Sequence, residues 1–345
     1  MKITEIRIHQ PVGLLRILSD EGIEGICLGV DESTARYIQS AYREYLIGKD
    51  PFDREAIWQE LTRRDRYQYL PQQVRGYLDV GLWDLLGKAT GLPIYRLIGG
   101  FRDSIPAYKM GPNFDNVEMF VAEAVKAKNE GFFGYKDHFC ENPPEMMMDI
   151  ARESRKAVGN EFSLMHDAVQ QYVYSDALRV GRVLQEQDYF WFEEPLRDFD
   201  LLGLKRLAAA LDIPIAATEY LPGTIYSTSQ LIAEKAVDIV RASVPWRGGI
   251  TDMLKIARLA ESFGLNCEIT SSGVTHGFVH AHVIGAIKNC TFYEATSLGS
   301  QGGEPLITNP LILENGHLPV PSGPGLGVEL DWDEVEKQTE QVLQF

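Results

Sequence analysis

The sequence predicts an α/β fold, a closed barrel of parallel strands and helices joined to a smaller α+β part, and three observations carry that prediction. The chain has 345 residues, 45% of them hydrophobic, which suits one barrel of about 250 residues plus a smaller domain. Beyond Gly99 and Gly100, short apolar runs alternate with amphipathic stretches. Before that point, strand-like alternation gives way to a helical period.

Taken in order, Ile3 to Ile8 and Leu14 to Leu18 read as two strands around His9, Gln10 and Pro11. A turn at Ser19 to Gly22 and a third strand near Ile23 to Leu28 complete a small meander. From about Ser33 to Ala89 the pattern is helical, most clearly where Leu78, Leu82, Leu85, Leu86 and Ala89 follow helical spacing. The runs IPAYKM, FFGYK, FSLMHD, YFWFEE, IPIAATE, DIVRAS, NCEITSS and FYEAT follow, separated by amphipathic segments. Such alternation implies right-handed β-α units on a parallel sheet. Eight runs suit a closed barrel, with an open doubly wound sheet as the alternative that periodicity leaves standing. No G-x-G-x-x-G follows the first run, which argues against dinucleotide binding. The last segment, from about residue 300, is rich in Gly and Pro and ends in an acidic, helix-like tail expected to cross back over the first domain.

Lys and Arg total 33 against 49 Asp and Glu, a formal net charge of -16. That balance disfavours nucleic acid or an anionic membrane as the main partner, so an anionic substrate would need a local positive centre such as a bound cation. MKITEIRIHQ alternates apolar and polar residues, and no stretch reaches the length of a membrane span, so a cytoplasmic protein is expected. Cys27, Cys140, Cys267 and Cys290 are scattered without a C-x-x-C pair and read as buried free thiols.

Three successive apolar runs each end in a carboxylate: Asp167, Glu193 and Glu219, two equal steps of 26 residues (167 to 193 to 219). Each step is about one β-α unit, so the three acids would converge on the C-terminal rim of a barrel, where such barrels keep their active sites. A single acid at a strand end is commonly a helix cap or a lysine partner. Three in register would repel one another, and a hard divalent cation with oxygen ligands, Mg²⁺ or Mn²⁺, resolves the repulsion. Glu194 competes with Glu193, because adjacent strand residues face opposite ways; the expectation is that Glu193 is the ligand and Glu194 makes a supporting ion pair.

GLWDLLGKATGLPIYRLIGG, FEEP around Glu193, RGGIT near Gly248 and PSGPGLGVEL near the end together resemble the enolase superfamily, in its mandelate racemase and muconate lactonizing enzyme branch. The resemblance implies a (β/α)₇β modified TIM barrel under an α+β capping domain made by both ends of the chain. It divides the sequence into residues 1–104 (cap), 105–300 (barrel) and 301–345 (return to the cap). It also implies one Mg²⁺ at Asp167, Glu193 and Glu219, bound to a substrate carboxylate while a base removes the proton on the adjacent carbon. That proton is weakly acidic because its removal places a second negative charge on the carboxylate, which a metal would neutralise. A homo-oligomer is a further implication.

Where relatives carry Lys-x-Lys after the second barrel strand, this chain has Lys136, Asp137 and His138. His138 could act as base near neutral pH, with Lys136 holding the substrate carboxylate and lowering the pKa of its neighbour. Alignment on RGGIT puts Ser243 where many relatives have an Asp, and Thr270 stands where they have a His. Neither can take up a proton near neutral pH, so two-base racemisation is disfavoured and both read as substrate contacts. One-base dehydration of a sugar acid is the leading expectation, with His166 or His276 as possible proton donors and Glu294 facing the substrate. His9 and the cluster Arg63 to Tyr69 are further candidate contacts from the cap. An epimerase or cycloisomerase on the same metal, and a metal-binding homologue with weakened catalysis, are the alternatives.

Overall fold

The computed structural model describes residues 1–138, 141–270, 275–301 and 305–345. Alternating apolar residues bury Ile6 and Ile8 of β1 (Ile3–Gln10) and Leu15 and Ile17 of β2 (Leu14–Ser19). With β3 (Glu24–Cys27) they form the expected meander, and the C-terminal strand β13 (Gln341–Gln344) adds antiparallel to the free edge of β1, giving the order β13-β1-β2-β3. The chain end therefore finishes as a strand. A helix does precede it, α13 (Trp332–Gln338), whose N-cap Asp331 accepts from the Glu334 amide at 3.0 Å.

Two short helices, α1 (Glu32–Tyr37) and α2 (Arg43–Leu46), lead to α3 (Arg54–Gln68), α4 (Gln72–Thr90) and α5 (Ile94–Ile98). The leucines predicted to share a face do so: Leu78, Leu82 and Leu85 of α4 are fully buried. Helix and sheet touch at two glycines, since a Cβ on Gly25 would stand 2.0 Å from the Gly81 carbonyl oxygen. The buried Asp84 carboxylate accepts from the amides of Ile26 and Leu326, both at 2.8 Å, and pairs with Lys88 at 2.7 Å. One α4 side chain thus joins the meander to the Pro/Gly-rich C-terminal segment.

The barrel strands are β4 (Ser104–Met110), β5 (Gly134–His138), β6 (Ser163–Asp167), β7 (Trp191–Glu193), β8 (Ile215–Ala217), β9 (Ile239–Ala242), β10 (Asn266–Ile269) and β11 (Tyr293–Ala295). Between them run α6 (Val117–Asn129), α7 (Pro144–Val158), α8 (Tyr174–Glu186), α9 (Leu201–Ala208), α10 (Thr224–Ala233), α11 (Ile250–Ser262) and α12 (Thr275–Ala286). This is a (β/α)₇β arrangement, and the strands stand in the parallel order β10-β9-β8-β7-β6-β5-β4-β11. The amphipathic pattern of α7 is legible in its spacing: Met147, Ile150, Ala151, Ser154 and Val158 form its inward stripe. Inside the strands, Tyr108, Met165, Trp191, Ala216, Ile239 and Phe292 pack into one layer that fills the barrel beneath its C-terminal rim.

The first and last barrel strands pair, but β10 and β11 share no backbone ladder among the described residues. A side chain bridges that seam instead. The buried Glu268 carboxylate of β10 accepts from the Thr291 amide at 2.9 and 3.0 Å and from the Phe292 amide at 3.4 Å, at the entrance to β11. A short strand β12 (His317–Pro319) pairs antiparallel with the start of β4.

Cap and barrel are locked at the RGGIT segment. Arg75 of α4 pairs with Asp252 of α11 and with Asp65 at 2.8 Å, and Asp79 accepts from the Thr251 amide at 2.9 Å at the start of α11. Gly249 has φ 102°, and a Cβ there would stand 2.4 Å from that of Asp79, so this contact requires glycine. Cys27, Cys267 and Cys290 are buried and form no disulfide among the described residues, while Cys140 lies outside them. Among the described residues no helix is long and apolar enough to cross a membrane.

Candidate active site

At the C-terminal ends of the strands a cavity of about 240 Å³ is lined by Met110, Lys136, His138, Asp167, Val169, Glu194, Glu219, Tyr220, Trp246, Thr270 and Glu294. Strand alternation explains the placing: Lys136 and His138 lie two residues apart on β5 and face inward, and Asp167 closes β6 beside His138, its partner in the ladder. The His138 Nε2 stands 3.4 Å from Asp167 Oδ2. That contact chiefly raises the His138 pKa above its ordinary value, against the lowering effects of burial and of Lys136. The sequence had suggested that Lys136 would set the imidazole; the carboxylate outweighs it because it is a direct hydrogen-bond partner.

Lys136 is buried among acids, with its Nζ 3.0 Å from both oxygens of Glu193, 2.9 Å from Glu294 and 3.5 Å from Asp167. Burial and Arg241 oppose its charge, but Glu193 and Glu294 hold its pKa well above the ordinary lysine value. Glu193 sits deeper than the cavity wall: beyond Lys136 it accepts from Arg241 Nε at 2.7 Å and Trp191 Nε1 at 2.9 Å. Arg241 also pairs with Glu294 and donates to the Tyr108 hydroxyl at 3.1 Å. Against burial, Lys136 and Arg241 together depress the Glu294 pKa to about 2. Glu294 is therefore an ionised, fully engaged carboxylate on the cavity wall, with Thr270 Oγ1 at 3.4 Å.

Glu194 differs from expectation. It makes no ion pair among the described residues; its oxygens accept from the Glu219 amide at 3.2 Å and from Gln170 Nε2 at 3.3 Å, and it lines the cavity. Its positive φ of 41° breaks the strand alternation that would have turned it outward. Burial and then Asp198, Glu219, Asp167 and Glu193 raise its pKa to about 9, and burial, with Arg241 opposing and Glu193 adding, raises that of Glu219 to about 8. Four carboxylates at this rim (Asp167, Glu193, Glu194 and Glu219) face only Lys136 and Arg241 as permanent cations. Among the described residues no three acid, imidazole or thiol groups converge closely enough to hold an ion as they stand. The donor chemistry nonetheless fits a hard divalent cation: every donor is a carboxylate oxygen, and Glu194 and Glu219 are acids whose pKa is raised first by burial and further by neighbouring carboxylates.

Several predicted contacts lie elsewhere. His166 precedes Asp167 by one residue and so points to the outer face of the barrel, fully buried, with Nδ1 2.5 Å from Asp137 Oδ1 and Nε2 3.3 Å from the Tyr172 hydroxyl. It cannot reach substrate, and Asp137 is its structural partner. His276, at the start of α12, stacks on Tyr77 of the cap with centroids 5.8 Å apart and does not line the cavity; burial lowers its pKa to about 4. His280 accepts from the Val244 amide at 3.1 Å and His282 bridges the Tyr95 amide and the Leu326 carbonyl, both as buried structural groups. Ser243, directly after β9, is fully buried and does not line the cavity. His9 is likewise buried in the cap sheet, 3.3 Å from the Thr339 hydroxyl, and contributes nothing to the cavity. In the Arg63 to Tyr69 cluster, Arg63 and Arg64 pair with Glu60 and Asp65 with Arg75, leaving Arg66 and Tyr69 facing a second cavity.

The sequence reading missed Arg241, Tyr108, Tyr220 and Trp246. Arg241 left a signal: an arginine inside the apolar run DIVRAS is a charge destined for burial, which requires partners.

Comparison with known proteins adds to this geometry. Residues 3–99 match the family model "Mandelate racemase / muconate lactonizing enzyme, N-terminal domain", and residues 119–335 match "Enolase C-terminal domain-like". The chain is 34% identical over 275 residues to L-talarate/galactarate dehydratase of Salmonella typhimurium, covering 76% of this chain and 67% of that protein. It is 31% identical over 341 residues to D-galactarolactone cycloisomerase of Agrobacterium fabrum, covering 93% and 89% respectively. Among solved structures, D-glucarate dehydratase from Agrobacterium tumefaciens complexed with magnesium is similar with a TM-score of 0.87 at 30% identity, over 95% of this chain and 90% of that one.

Proposed function

From the premise that this chain belongs to the mandelate racemase and muconate lactonizing enzyme branch of the enolase superfamily, we propose that it is a Mg²⁺-dependent dehydratase of a sugar acid. The observation that carries the reading is the asymmetry of the cavity: among the described residues His138 is the one imidazole on its wall, and Thr270 stands opposite with no group able to take a proton. Asp167, Glu193 and Glu219 would hold the cation, with Glu194 as the fourth carboxylate beside them. Its charge would lie against the substrate carboxylate and stabilise the negative charge that develops there.

The chain's own residues then account for the proton. Neutral His138 takes the proton from the α-carbon through Nε2, and the electron pair of the broken C–H bond enters the enolate. The bond from the β-carbon to its hydroxyl breaks next, and the imidazolium returns the proton to the departing oxygen, releasing water. The resulting enol tautomerises to a 2-keto-3-deoxy acid. One base suffices for both transfers, which suits a site where His166 and His276 are out of reach. Lys136, held among Glu193, Glu294 and Asp167, supplies fixed positive charge under the substrate.

Incubation with Mg²⁺ and a panel of aldonic and aldaric acids should yield products that form semicarbazones. His138→Ala should abolish both product and solvent deuterium exchange at the α-carbon while Mn²⁺ still binds. An isomeric product without a new carbonyl would instead support cycloisomerisation, which the similarity to the cycloisomerase favours and which also needs only one base.

A further inference from the structure

A second cavity, of about 530 Å³ against about 240 Å³ at the acid cluster, lies beside the one lined by the acids. It lies in the seam between cap and barrel, bounded by the end of α3, the start of α4 and the loops after β8 and β9. Gln72 of α4 ties the seam, donating to the Leu221 carbonyl and accepting from the Gly223 amide, both at 3.2 Å. Two aromatic residues, Tyr220 and Trp246, line both cavities and stack with centroids 4.3 Å apart. The two cavities therefore meet at this aromatic pair, which a ligand reaching from the acids into the larger space would cross.

What that space would accept follows from its walls. Tyr69 and Tyr226 are 94% and 65% exposed, so with Tyr220 and Trp246 four aromatic rings surround the cavity, two of them with little protein packed on their faces. Three polar side chains also face it with no hydrogen-bond partner among the described residues: Arg66, Gln73 and Thr62, whose Oγ1 is buried. Aromatic faces interleaved with donors and acceptors match a pyranose ring, which offers a C–H face to an aromatic ring and equatorial hydroxyls to planar polar groups. A purely aliphatic tail would leave the polar groups unpaired, and of the two arginines on the wall Arg75 is already engaged by Asp65 and Asp252, which leaves Arg66 alone to meet a carboxylate.

Resting on the proposed acid-sugar chemistry for the neighbouring site, we infer that this cavity is a glycosyl subsite: the substrate is a sugar acid that bears a second, uncharged sugar ring beyond its reacting carbons.

The test begins with the ring alone. Methyl α- and β-glucoside and methyl β-galactoside are presented to the full-length protein, and saturation transfer to the sugar protons is measured for wild type and for the double variant Tyr69→Ala/Tyr226→Ala. Transfer in the wild type that falls at least fivefold in the variant supports the subsite. No transfer from any glycoside, or equal transfer in both proteins, overturns it. Calorimetry with Mg²⁺ then compares lactobionate, cellobionate and maltobionate with gluconate; at least one glycosylated acid should bind tenfold more tightly than gluconate, and equal affinity for all would count against the inference. Should the glycosides bind and no acid ever exchange its α-proton, the dehydratase reading fails while the subsite stands. If instead the double variant changes only the sedimentation of the protein, the exposed tyrosines contact a second copy of the chain and the subsite is refuted.

Discussion

Replacing Arg241 by methionine removes a guanidinium that is fully buried and that faces Glu193 at 2.7 Å, Glu294 and the Tyr108 hydroxyl. Methionine fills most of the volume, so the chief loss is electrostatic. Unit charges about 4 Å apart interact by roughly 4 kcal/mol at an effective dielectric of about 20. Breaking a buried pair by deleting one partner costs about 3–5 kcal/mol, because the other charge is left uncompensated. Here Glu193 and Glu294 would share Lys136 alone. The variant, kept in EDTA so that no divalent ion substitutes, should unfold in urea with a free energy lower by about that amount and an unchanged m-value. Pairing Arg241→Met with Glu294→Gln removes one of the stranded charges, and the double variant should recover at least 1 kcal/mol over the single one by a double-mutant cycle. A loss below about 1 kcal/mol for the single variant, or a double variant no better than the sum of its parts, would refute the view that this network is held by charge balance rather than by packing.

Three further outcomes follow from the same structure. Mg²⁺ at a hundred times its dissociation constant should stabilise the protein by about 2.7 kcal/mol in thermal unfolding, and Asp167→Asn or Glu219→Gln should remove the effect; stabilisation that survives both would place the ion elsewhere. His282, pushed down by burial to about 4, is neutral in the fold, so its contribution is complete above the unfolded value of about 6.5 and is lost as pH falls through 4. That is at most about 3 kcal/mol, and His282→Gln should flatten the melting temperature between pH 6.5 and 4. Glu268→Leu should cost about 1–3 kcal/mol by stripping the Thr291 and Phe292 amides of their acceptor, with faster hydrogen exchange at those two amides than at the β4–β5 ladder; uniform exchange would mean the seam is held by other contacts.

The sequence by itself determined the order of the elements and the rim on which the chemistry would sit. Alternation in the first strands, helical spacing in α4 and eight apolar runs separated by amphipathic helices are local patterns, and local patterns report periodicity. The equal steps from Asp167 to Glu193 to Glu219 are readable for the same reason, since one step is one β-α unit and consecutive units are neighbours in a barrel. Which way a given side chain faces is a different kind of fact. One left-handed residue turned Glu194 into the cavity, and one position of offset sent His166 behind the strand that carries Asp167. Arg241 and Trp246 joined the site from segments beyond the acids in sequence, Tyr220 was carried in beside its chain neighbour Glu219, and the seam at Glu268 exists because the consecutive strands β10 and β11 meet without a ladder among the described residues. Tertiary structure decided these because charge compensation and cavity shape depend on distances through space, and no spacing along the chain encodes them.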